Sequence, residues 1–173
     1  VGLSAVMLAK ALGAKVVAVD ISADALAMAQ TFGAEIALNA VETPDVATAV
    51  RDITGGGTHV SIDALGIATT FDNSLRSLRK LGRHVQIGMP VGQDATVPLP
   101  LLELVYARQL SIYGMRGLGA SGFKGLLDLI ETGALNLSAL VTAQIPLSEV
   151  GAALALMDGK QPAGITIIDR LDS

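Results

Sequence analysis

Three stretches of the chain repeat one local pattern: "ALGAKVVAVD" (11–20), "TFGAEIALN" (31–39) and "KLGRHVQIG" (80–88). In each, an amphipathic stretch stops at a glycine, two residues follow, and a run of aliphatic or β-branched residues begins. Gly13, Gly33 and Gly82 are placed to take the left-handed conformation that closes a helix and turns the chain back into a strand. A chain alternating in this way is confined to αβ units on a parallel sheet.

The other elements follow from local chemistry. Ser22 is a natural N-cap for a helix through about residue 32, and Thr43 with Pro44 starts another, since proline suits the first helical turn. "GGGTHVSIDALG" (55–66) is a flexible turn feeding a strand that ends near Asp63. A helix over roughly 68–80 leads to "RHVQIG", and "LSIYG" (110–114) is a further short strand. Residues 89–100, "MPVGQDATVPLP", hold three prolines and no helical period, which predicts a long loop beyond a strand's carboxyl end. After a helix near 121–132, "VTAQIPL" and "AGITIID" read as two closing strands around a helix at 148–158.

The 173 residues suit one domain with a real core. With 51% hydrophobic and only 3% aromatic residues, that core is built from Ala, Val, Leu and Ile. A net charge of −4 and scattered cations give no basic stripe, which argues against nucleic acid as a partner. The chain has no Cys, which removes disulfides and thiolate metal sites and fits a reducing compartment. Mean hydropathy is positive, yet no apolar run reaches the roughly 18–20 residues of a spanning helix. Lys10, Lys15, Asp20 and Asp24 interrupt the longest candidate. Nor do the first residues carry the charged start and cleavage site of a signal peptide. The expectation is a soluble, cytoplasmic protein.

Two features carry chemistry. Gly2, Ala5, Ala9 and Gly13 recur at near-helical spacing, leaving one helix face almost bare and able to approach a sheet closely. The amino end of such a helix presents free N–H groups and a positive dipole to a phosphate, although small residues also simply pack well. Asp20 ends the next strand, 18 residues beyond Gly2. An acid there can accept hydrogen bonds from a ribose hydroxyl; it can equally start a turn or cap the next helix.

"VGLSAVMLAKALGAKVVAVDIS", "IDALG" (62–66), "GRHVQIGMP" (82–90) and "LSIYG", in that order and spacing, resemble the cofactor domain of the medium-chain dehydrogenase/reductase superfamily. The zinc-dependent alcohol dehydrogenase branch is the most similar. The resemblance covers essentially the whole chain and implies residues 1–173 as a dinucleotide-binding (Rossmann) domain with a C-terminal closing segment. It further implies a doubly wound parallel α/β sheet. The family's glycine loop reads G-x-G-G-V-G-L and this chain supplies "VGL", so the resemblance implies a domain lacking its first strand, cut from a longer enzyme whose catalytic zinc domain is absent. With the strand order 3-2-1-4-5-6, the missing strand is central. The strands at about 15–20 and 58–63 are then expected roughly 9–10 Å apart, or in abnormal pairing.

Carried over by position, the resemblance implies cofactor contacts at ten residues. Val1 would lie beside the nicotinamide, Gly2 would permit close helix packing, and Asp20 would hold the adenosine ribose. Ala64 and Leu65 would line the cofactor, the backbone of Ile87, Gly88 and Met89 would meet the nicotinamide end, and the segment from Ser111 to Tyr113 would form the last wall. Two positions depart from the family: Ala25 stands where a lysine or arginine often follows the ribose acid, and Gly164 where some relatives have a phosphate-binding arginine.

A 2′-phosphate would meet the Asp20 carboxylate with no cation in "ISADALAMAQ" to offset it, which favours NAD over NADP. His59 and His84 read as structural, Tyr106 as packing, and no clustered donors suggest a metal in this chain. The resemblance implies that the parent transfers hydride between an alcohol or carbonyl and the nicotinamide, with zinc held in the other domain, and that the present residues alone are inactive. Relatives pair last sheet strands between subunits, which would make 110–114 a homo-oligomer interface. Three other readings stay open: a zinc-independent quinone or enoyl reductase of the same superfamily, a non-enzymatic nucleotide-binding module, and a methyltransferase. The proline loop after "QIGMP" and the "LSIYG" strand argue against the last.

Overall fold

The structure, a computed structural model, describes residues 1–157 and 163–171. Its contacts divide the chain into two compact units, one of Val1, Leu3–Asn39 and Ala120–Ser173, the other of Gly2 and Ala40–Gly119.

The first unit opens with α1 (Gly2–Ala11), β1 (Val17–Asp20), α2 (Ala23–Thr31) and β2 (Ile36–Asn39). Gly13 (φ +81) and Gly33 (φ +107) close the two helices in the left-handed region, as their place in the repeat predicts. The Ser22 hydroxyl caps α2 by accepting from Ala25 N at 3.3 Å. β1 and β2 run parallel, from Val17 opposite Ile36 to Asp20 opposite Asn39. Later come α5 (Phe123–Glu131), β6 (Val141–Pro146), α6 (Val150–Met157) and β7 (Ile165–Arg170), with β6 and β7 also parallel. Residue 158, the expected end of the last helix, lies outside the described residues.

On α1 the fully buried residues are Val6 and Met7, while Ala5 and Ala9 are half-buried. Val6 packs with Ala29 and Ala34, while Met7 packs with Leu135 and Leu140 against Leu126, Leu129 and Ile130. Gly13 lies in the turn beyond the helix.

The second unit contains α3 (Val46–Ile53), β3 (Thr58–Asp63), α4 (Ala68–Arg76), β4 (Leu78–Gln86) and β5 (Ser111–Gly114), with the strands in parallel order β3-β4-β5. Its core is Leu75, Leu78, Leu104 and Leu110, with Phe71 against them. Asp45, rather than Thr43 or Pro44, caps α3: its Oδ1 accepts from Thr48 N at 2.9 Å and its Oδ2 from the Thr48 hydroxyl at 2.8 Å. Those two bonds hold its carboxyl below the usual carboxylate range.

The third repeat departs from expectation. α4 ends at Arg76 instead of 80, because Leu78 is already paired with Thr58 at the start of the strand. The left-handed residue is then Leu81 (φ +64), and Gly82 does not adopt positive φ. Gly82 serves a different purpose: a Cβ there would lie 2.8 Å from Arg79 O and 2.9 Å from Leu78 Cβ. The proline loop carries a short 3₁₀ turn at Gly92–Ala95, and Leu101–Tyr106, for which the sequence suggested no element, forms a π-helical turn that buries Leu104.

Among the described residues β1 pairs with β2 and β3 with β4, so no continuous sheet joins β1 to β3. The runs β2-β1 and β3-β4-β5 correspond to 3-2 and 4-5-6 of the doubly wound order.

Candidate functional site

The carboxyl ends of β3 and β4 lie side by side, and the polar residues there are set by strand alternation. Ser61 and Asp63 on β3 stand opposite His84 and Gln86 on β4, so all four side chains share one face of the sheet. Helix α4 places Thr70 and Ser74, one turn apart, toward the same group. His84 is fully buried and Asp63 is 3% exposed.

Asp63 is the hub. Its Oδ1 accepts from Leu65 N and Gly66 N, both at 2.9 Å, and lies 3.1 Å from the Thr70 hydroxyl. Its Oδ2 accepts from Gln86 Nε2 at 3.0 Å. Its backbone carbonyl takes Ile87 N at 2.9 Å and Gly88 N at 2.8 Å. A buried carboxylate is tolerated only when its lone pairs are satisfied in this way. One residue thereby fixes both turns, 64–66 after β3 and 87–89 after β4.

The turns also touch through their backbones. A Cβ at Gly88 would lie 2.3 Å from Leu65 C and 2.4 Å from Gly66 N, and one at Gly66 (φ +89) would lie 2.8 Å from Gly88 C and O. Only glycine fits at either position. From this buried junction Leu65, Ile87 and Met89 stand exposed, a small apolar rim at the strand ends.

Behind the junction the His84 ring stands edge-on to Phe71, with centroids 5.1 Å apart. Its Nδ1 is 2.9 Å from Ser74 Oγ and its Nε2 is 3.0 Å from Gln86 Oε1. Burial pushes the imidazole below its ordinary range, against the smaller opposing pull of Gln86 and Asp63. The neutral ring belongs to the fold, while the unfolded chain takes up a proton near pH 6.5. Stability is therefore fully present above about pH 6.5 and is lost as pH falls below it toward the lower folded value. Urea midpoints measured from about pH 7.5 down to 5.5 should fall, and His84→Gln should flatten that slope.

The sequence-derived residues divide between the units. Ala64, Leu65, Ile87, Gly88 and Met89 come together at the junction, and Ser111 and Tyr113 lie on β5, whose residues Ser111 to Gly114 pair with Arg83 to Gln86. Gly2 groups with this unit, where a Cβ would lie 3.8 Å from that of Ala64, an ordinary contact. Val1 and Asp20 belong to the other unit. Asp20 is exposed at the end of β1, and its Oδ1 accepts from Ser22 N at 2.9 Å, which sets the carboxylate's orientation. His84 is structural, as its setting predicts. His59 is exposed and accepts from Arg79 Nη1 at 2.8 Å. Sequence reasoning missed Gln86, Thr70, Ser74 and the hub role of Asp63. The signal was present: S-x-D and H-x-Q are alternating polar pairs at the carboxyl ends of the two strands.

A parallel α/β architecture with glycine-packed turns at adjacent strand ends is of the dinucleotide-binding class. The chain belongs to the zinc-binding dehydrogenase family, whose model matches residues 1–132. It is 33% identical over 156 residues to the erythritol/L-threitol dehydrogenase of Mycolicibacterium smegmatis, covering 89% of this chain and 42% of that protein. It is 32% identical over 169 residues to the alcohol dehydrogenase of Cupriavidus necator, covering 96% and 46%. The structure of an alcohol dehydrogenase from Thermus sp. ATN1 superposes with a TM-score of 0.85 at 28% identity, covering 97% of this chain and 48% of that one. The chain thus spans about half the length of the curated relatives it matches. These relatives support an oxidoreductase cofactor domain and lend nothing to the reductase, non-enzymatic or methyltransferase alternatives.

Among the described residues no group of three or more His, Cys, Asp or Glu is arranged to hold a metal ion, and these residues do not fit a zinc site. No helix among them is long and apolar enough to cross a membrane.

Proposed function

We propose that residues 1–173 act as the dinucleotide-binding half, with a C-terminal closing segment, of an NAD-dependent alcohol or polyol dehydrogenase working in the cytoplasm. The junction of turns 64–66 and 87–89 carries this reading. It is a rigid backbone platform with exposed apolar side chains at two adjacent parallel strand ends, where ligands of such sheets bind. When bound, the nicotinamide supplies hydride chemistry; the chain's own residues hold and orient it. Leu65, Ile87 and Met89 offer apolar surface to the ring, the backbone of Ala64 and Gly88 adds polar contacts, and Ser111 and Tyr113 close the pocket. Val1 lies beside the nicotinamide, Gly2 permits close packing of α1, and Asp20 accepts from the adenosine ribose. Zinc, where the parent uses it, is held outside these residues. The exposed strand β5 pairs with a second copy.

Titration of NADH fluorescence against the intact polypeptide that carries this chain tests the proposal. Saturable binding with oxidation of small alcohols or polyols is the expected result. Absence of NADH binding overturns the cofactor role, and a monomer by light scattering overturns the β5 pairing.

A further inference from the structure

We infer that Gln86 is a positioning residue that locks the two nicotinamide-facing turns into one register, an inference that rests on the reading above. Gln86 has two amide hydrogens and one carbonyl oxygen, and all are engaged. Nε2 donates to Asp63 Oδ2 at 3.0 Å and to Gly88 O at 2.9 Å, while Oε1 faces His84 Nε2 at 3.0 Å.

The chemistry leaves no choice of orientation. A carboxylate and a backbone carbonyl are acceptors, so the amide nitrogen must face them and the amide oxygen must face the imidazole. His84 therefore donates from Nε2 and accepts at Nδ1 from the Ser74 hydroxyl, 2.9 Å away, with Ser61 Oγ at 3.5 Å as the more distant neighbour. The result is a directed chain from Ser74 through His84 and Gln86 to Asp63 and Gly88. One Gln86 hydrogen acts on turn 64–66 through Asp63, which also holds Leu65 N and Gly66 N. The other acts on turn 87–89 at the Gly88 carbonyl.

Neither Glu nor Met can replace this residue. Glutamate sets a second carboxylate against Asp63 and loses both donors at neutral pH, while methionine matches the length and donates nothing. Gln86 is half-buried behind the junction, so it acts on the cofactor through the turns.

The test measures NADH and ADP-ribose, the same molecule without its nicotinamide, on the intact polypeptide and on Gln86→Met, Gln86→Glu and Ser74→Ala. Gln86→Met is expected to weaken NADH about tenfold, the effect of losing roughly one net hydrogen bond's worth of positioning, with ADP-ribose within about twofold of wild type. Gln86→Glu should recover NADH affinity as pH falls from about 8 to 6 and the carboxyl regains a proton. Ser74→Ala, at the far end of the chain, should weaken NADH by about threefold and spare ADP-ribose; it decides the matter if the Gln86 variants do not fold. Folded variants that lose both ligands equally, or neither, overturn the assignment. A wild type that binds neither ligand overturns the dinucleotide reading instead.

Discussion

Gly88→Ala is expected to destabilise the protein by about 3 kcal/mol and to abolish NADH binding, because its methyl group has nowhere to go. The nearest atoms to a Cβ at this position are all backbone: Leu65 C at 2.3 Å, Gly66 N at 2.4 Å and Leu65 N at 2.5 Å. A flexible side chain could swing aside; a main chain pinned by the Asp63 carboxylate cannot move without breaking the bonds to Leu65 N and Gly66 N. The two turns must part, and the surface proposed to meet the nicotinamide parts with them. Gly125→Ala is the matched control. It lies within α5 with nothing inside 4 Å of a Cβ, so the same substitution should stabilise by about 0.5–1 kcal/mol through helix propensity alone. Thermal melts of the two variants should shift in opposite directions; a Gly88→Ala melt equal to wild type would show that the junction yields.

The second large effect concerns cofactor choice. Wild type is expected to bind NADH at least roughly tenfold tighter than NADPH, since the 2′-phosphate carries nearly two negative charges into the neighbourhood of the exposed Asp20 carboxylate. No lysine or arginine occurs between Asp20 and Thr31 to offset them. The informative variant is Asp20→Asn, because its amide oxygen can still accept from Ser22 N and preserve the turn into α2. That variant should bring the NADPH to NADH ratio toward one, chiefly by improving NADPH. Equal or better use of NADPH by the wild type would remove Asp20 from the ribose role.

What could be read from the residues, and what could not, divides along the range of the interactions involved. The αβ repeats, the Ser22 cap and the glycine closures at 13 and 33 are local: a few neighbouring residues determine each, so spacing reveals them. The third repeat looked identical, yet strand pairing with Thr58 begins at Leu78 and overrides the helical pattern. That long-range contact moved the left-handed residue to Leu81 and left Gly82 a packing task. The residues flanking the junction, 64–65 and 87–89, came from resemblance; the carboxylate that joins them did not. Asp63 and Gln86 are 23 positions apart, and only the register of β3 on β4 makes them neighbours.

That register bears on how such domains can be recombined. The stretch from the Asp63 carboxylate to the Gly88 carbonyl is one heritable unit, although 24 of its residues lie between the two ends. A crossover between related chains that falls within it brings together turns shaped by different partners. A crossover on either side transfers the whole platform with its acid, amide and glycines intact. Exchange of cofactor halves among dehydrogenases should therefore favour boundaries before β3 or beyond Met89.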